Sequence, residues 1–125
     1  MKLLEAKQVV NSMFASEWTE TAIQWYGLPF SNKNIDEWIM VSVIGLNSAT
    51  RTLDNNNTDF VIDVAIYAKK ENRTLELYDM LSEMFLGKRI KDVFCSTIRI
   101  DNKLDVQTEY GDYKLLDTSI YLNSL

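Results

Sequence analysis

Carboxylates are the reactive groups this chain has in quantity, and histidine is the one it lacks. Eighteen Asp and Glu stand against no His in 125 residues. Without imidazole there is no Ser-His-Asp or Cys-His relay, no His-bound metal and no ordinary neutral-pH proton shuttle. Two acid pairs are candidates for a hard cation, Asp54 with Asp59 and Asp101 with Asp105. Neither has EF-hand spacing, and solvated turn carboxylates are the plainer reading. Glu76, Asp79 and Glu83 recur as on the outer face of a helix. Asp63 is the odd acid, set in an apolar run. It faces solvent on the polar side of a sheet or pairs across a subunit boundary, and the first is preferred. Cys95 is the single thiol, so no internal disulfide forms, and with no His to activate it, it reads as a small half-buried side chain. No Gly-rich phosphate loop is present. The expectation is a non-enzyme with no metal and no cofactor.

The remaining candidates are binding surfaces. Trp25, Tyr26 and Phe30 crowd one corner near Gly27 and Pro29. They read as a satellite cluster closing one end of the core, or as a stacking or partner-binding patch. A second candidate is the polar stretch Arg51, Thr52, Leu53, Asp54, Asn55, Asn56 and Asn57, which carries turn chemistry and no core residues. Net charge is −5, which argues against binding nucleic acid by neutralising phosphates. The one basic trio, Lys88, Arg89 and Lys91, suits the C-terminal end of a helix.

The elements that must hold these residues follow from periodicity. Residues 59–85 organise the rest. Phe60, Ile62, Val64, Ile66 and Ala68 alternate with Val61, Asp63, Ala65, Tyr67 and Lys69, the period of a half-buried strand. Leu77, Tyr78, Leu81, Met84 and Phe85 then recur at helical spacing, over a helix spanning about residues 73–86, capped by Asn72 or Thr74 and stopped at Gly87. A first helix covers residues 2–16 along Leu3, Ala6, Val10, Met13 and Phe14. Thr19, Thr21, Ile23 and Trp25 alternate as a strand. Residues 37–45 are apolar on both faces, so that strand is central or covered by a neighbouring subunit. It pairs with residues 58–69 as a long hairpin whose tip is the Asn-rich stretch. Three strands follow: residues 92–101, 104–110 after a tight turn at 101–103, and 114–122 after Gly111. The fold expected is one α+β domain over residues 1–125, in the order α-β-β-β-α-β-β-β, with both helices on one face of a mainly antiparallel sheet. No apolar run reaches the length of a membrane span and no signal-peptide pattern opens the chain. A soluble protein made in the cytoplasm is the expectation.

This succession resembles the small tail-terminator (tail-completion) proteins of long-tailed bacteriophages and prophages. The resemblance rests on the N-terminal amphipathic helix and the segment Thr21, Ile23, Trp25, Pro29 and Phe30. A Trp-led strand from Trp38 to Ile44 follows, then the strand-plus-helix unit from Phe60 to Phe85 and a closing run of strands. It implies a structural virion protein in the phage tail or neck, made in the host bacterial cytoplasm. Such a protein forms a hexameric ring with copies of itself, caps the tail tube, ends tube polymerisation and meets the head connector, while DNA passes through the lumen without specific binding. The alternatives are a head-completion (stopper) protein and a small non-catalytic adaptor module. The resemblance supplies no catalytic residue.

Overall fold

The strand of residues 59–69 is the centre of the sheet. In the computed structural model, which describes residues 1–46 and 59–124, β3 (Asp59–Ala68) lies antiparallel between β2 (Glu37–Leu46) and β6 (Gly111–Ser124). Its even positions Phe60, Ile62, Val64, Ile66 and Ala68 are wholly buried. On the opposite face Val61 and Ala65 are buried too. The strand is therefore more enclosed than alternation alone implies, because both its neighbours are full-length strands.

The helices α1 (Leu3–Glu17) and α2 (Glu71–Phe85) cover one face of the sheet. Ala6, Val10 and Phe14 meet Leu77, Leu81 and Phe85 in a single core, with the Phe14 and Phe85 rings 5.3 Å apart. Leu3, expected in the stripe of α1, is 40% exposed. Helix α2 starts two residues earlier than its capping signals suggest. Lys70 stands at its N-cap without a side-chain cap, and the Thr74 hydroxyl donates back to Glu71 O at 2.6 Å inside the helix. Gly87 does follow the helix in the left-handed region, at φ 76°.

The sheet order is β1-β2-β3-β6-β5-β4, with β1 (Ala22–Trp25), β4 (Arg89–Ile90) and β5 (Val93–Thr108). All pairings are antiparallel except β1 with β2. The expected α+β class, with two helices on one face of a mainly antiparallel sheet, is what the chain adopts. Two details of the last strands differ. Residues 101–103 make no turn: β5 runs through them as one strand, absorbing the irregularity as register shifts at Cys95/Thr97 and Ile100/Asn102. The remaining strand is the two-residue β4. Lys88, Arg89 and Lys91 accordingly lie past the last turn of α2, around the β4 turn. There Lys91 pairs with Glu5 at 2.8 Å, so they do not serve the helix dipole.

The parallel β1–β2 pair forces residues 26–36 to travel back along the sheet, and they do so over the face away from the helices. Tyr113 donates its hydroxyl to Ile35 O at 2.6 Å, and the Asn32 amide donates to Thr108 Oγ1 at 2.9 Å. Beneath this crossover Trp38 stacks on Tyr67 (4.4 Å, 5°) and meets Tyr113 edge-on at 4.7 Å. The doubly apolar β2 is thus explained in its first half by the crossover. Its second half is not covered: Ile44 is 46% exposed.

Candidate functional site

The aromatic corner does not form one patch, because the sheet passes through it. Trp25 pairs with Val41 in register and packs against the core beneath the helices. Phe30 lies on the other side of the sheet, 5.7 Å from the Trp38 ring. Tyr26, at the turn between them, is 74% exposed. Spacing along the chain could not separate these roles, since adjacent strand residues take opposite faces only where the strand continues. Residues Arg51, Thr52, Leu53, Asp54, Asn55, Asn56 and Asn57 lie outside the described residues; the strands flanking them do pair as the expected hairpin, with Leu46 opposite Asp59.

The acids resolve one by one. The Asp59 carboxylate accepts the Ser124 backbone N–H at 2.8 Å. Asp101 pairs with Arg99 at 2.8 Å and accepts the Ser119 hydroxyl, while Asp105 pairs with Lys114 at 2.7 Å. Asp101 and Asp105 are therefore each neutralised by a cation of the chain itself. Among the described residues no group of three acids or thiols is placed to hold a metal ion. Cys95 is buried, and burial pushes its thiol up, away from the reactive thiolate.

Asp63 is the perturbed group. It lies on the face away from the helices, opposite Ser119 on β6 and diagonal to Asp117 two residues along that strand. Burial, a hydrogen bond shared with Asp117 and the negative charges of Asp117 and Asp101 push its carboxyl up to about 7. The neutral form of the Asp63 carboxyl is thereby favoured up to about neutral pH. Tyr67, on the same face, is raised by burial and then by Asp117 and Asp63. Ser42 and Ser119 stand directly across from Asp63 on the two neighbouring strands, so hydroxyl groups flank the acid pair.

Sequence reading missed Arg73 altogether. Its guanidinium forks onto Glu37 with two bonds of 2.8 Å, and reaches Glu20 at 2.7 Å and Glu76 at 3.0 Å. It ties the start of α2 to the start of β2 and to the segment leading into β1. Only Glu76, three residues on, was visible as a partner from spacing.

The described surface is notable for apolar side chains at the two sheet edges. Beside β1 are Tyr26 and Leu28, 74% and 62% exposed. Along β5 are Phe94, Ile100 and Leu104, between 36% and 49% exposed. A groove of about 540 Å³ opens where β1 ends, walled by Leu3, Lys7, Tyr26, Val43, Ile44 and Asp63 among others.

No family model matches the chain, and no curated protein matches it in sequence. Seven solved chains match it in structure. One of them superposes with a TM-score of 0.52 over 95% of this chain and 96% of that one, at 14% identity. At that identity the likeness shows a shared fold and nothing about activity. None of the helices in the described residues is long and apolar enough to cross a membrane.

Proposed function

We propose that this protein is a ring-forming structural component of a long-tailed phage or prophage, a tail terminator that caps the tail tube and joins tail to head. The observation that carries the reading is that exposed apolar side chains stand at both edges of one sheet, Tyr26 and Leu28 beside β1 and Phe94, Ile100 and Leu104 spaced along both faces of β5. A ring is built by heterologous contacts, in which one patch meets a different patch on the next copy. Exposed apolar residues at two separate edges are what such a contact requires of each subunit. The succession of elements that resembles tail terminators supports the same reading, as does the surplus of acids. A net charge of −5 lets DNA slide through a lumen without adhering. In this reading the protein resides in the virion tail or neck, and its partners are its own copies, the tail-tube protein and the head connector.

The test is oligomeric state with and without tail tubes. Light scattering is expected to show six-fold assemblies, free or on tube ends. Leu104→Lys and Leu28→Lys are each expected to abolish them while leaving the circular dichroism of the domain intact. A protein that stays monomeric both alone and mixed with tail tubes refutes the reading.

A further inference from the structure

We infer that a second copy of this chain pairs with the open edge of β2 about a two-fold axis at Ile44, extending the sheet across two molecules. The backbone supplies the first reason. Tyr26 N–H donates to Val41 O at 3.2 Å, so Val41 turns its polar groups towards β1. Backbone direction alternates along a strand, so Val43 and Gly45 aim their N–H and C=O groups the same way, while Ser42 and Ile44 turn theirs to β3. The β1–β2 register ends at Trp25 with Val41, and the chain then leaves through Gly27 at φ 83°. Among the described residues nothing bonds Val43 or Gly45 on that side. Each is a donor and acceptor left at the edge of a groove.

The spacing of these groups is self-complementary. In an antiparallel pair centred on Ile44, Val43 of one copy faces Gly45 of the other, and Gly45 faces Val43. Each of these is a pair that exchanges two hydrogen bonds, four in all. Ile44 then faces Ile44 as the close, non-hydrogen-bonded pair, and a side chain that is 46% exposed in the single chain is covered. Residues 43–45 carry no charge, and the groove walls carry only Lys7 and Asp63. The opposite sheet edge is built otherwise. Beyond its short pairing with β4, β5 has two register shifts and the charges Arg99, Asp101, Lys103 and Asp105, devices that discourage strand addition. Among the described residues one edge is guarded and the other is not, and the unguarded one matches itself. This contact is isologous and goes beyond the ring reading, whose contacts are heterologous; it links two subunits irrespective of whether rings form.

Three variants of the full chain test it. Ile44→Lys places two like charges on the axis. Gly45→Pro removes the N–H that faces outward and none that pairs with β3, a substitution an edge strand tolerates. Ile44→Cys brings two thiols to a spacing that a disulfide bridges, whereas Leu104→Cys on β5 serves as a control. The expected result is a concentration-dependent dimer of the wild type in sedimentation. Ile44→Lys and Gly45→Pro should raise its dissociation constant about tenfold or more, and Ile44→Cys should form a covalent dimer on mild oxidation while Leu104→Cys does not. Thermal melting of each variant as a single cooperative transition shows that the domain still folds. Absence of a dimer at all concentrations, a dimer indifferent to the Lys and Pro changes, or crosslinking by Leu104→Cys in place of Ile44→Cys overturns the inference. A six-fold assembly that survives Ile44→Lys with no two-fold contact overturns it too, and leaves the ring reading standing.

Discussion

Arg73 and Asp63 show how much one side chain decides here. Arg73 is always charged, and its planar fork matches Glu37 with two parallel bonds. Lysine keeps the charge but loses the fork. Arg73→Lys is expected to lower stability by about 1–2 kcal/mol in urea unfolding, as charge-assisted bonds to partly exposed carboxylates are lost. Asp63 acts through its proton. Its carboxyl sits at about 7 in the fold against 3.8 ordinarily, so the fold favours the neutral form. That contribution is complete below about pH 4 and is lost as pH rises through 7. Asp63→Asn keeps a neutral donor facing Asp117. The variant is therefore expected to melt close to the wild type at pH 4 and a few degrees above it at pH 8, about 1 kcal/mol, because a half-buried carboxyl is partly screened by solvent. Equal melting temperatures at pH 8 would show that Asp63 is ionised there at no cost.

At the level of elements, the crossover of residues 26–36 is the least conventional part of the sheet. A parallel neighbour joined without a helix must be held down by side chains, and Tyr113 and Asn32 do this at its far end. Tyr113→Phe retains the ring that packs on Trp38 and removes the bond to Ile35 O. A loss of about 1 kcal/mol is expected, together with faster proteolytic cutting inside residues 26–36; an unchanged cleavage pattern would mean the aromatic stack alone holds the segment. The alternation of β3, the helical spacing of α2 and the hairpin joining β2 to β3 were all legible, since each is a local period set by a buried face. The parallel sense of β1 was not, because four residues of alternation read the same in either direction. The continuity of β5 through residues 101–103 was hidden for a related reason. Asp-Asn-Lys has turn chemistry, yet pairing with fourteen residues of β6 outweighs a local preference for a turn.

For the whole molecule, the proposed ring reading places function at the sheet edges. The hairpin tip, residues 51–57, remains the element we expect to reach the tube or a neighbouring subunit. Its deletion, with the β2 and β3 ends rejoined by a short Gly-containing turn, is expected to leave a cooperative thermal transition and remove tail capping. Normal capping by the shortened chain would show that the tip has no part in it. This change and the Ile44 variants address different contacts, so the two outcomes are independent.

The amino-acid sequence by itself determined the class of the fold, the two helices and the central hairpin, because hydrophobic period records which face of each element is buried. It also determined that these 125 residues supply no histidine to any site. Only the tertiary structure decided which residues share a surface. It put Trp25 and Phe30 on opposite sides of one sheet, joined Asp63 to Asp117 across 54 residues, and ended β1 at Trp25 so that Val43 and Gly45 face outward. Those outcomes depend on strand order and register between distant segments, and a local period carries no information about either.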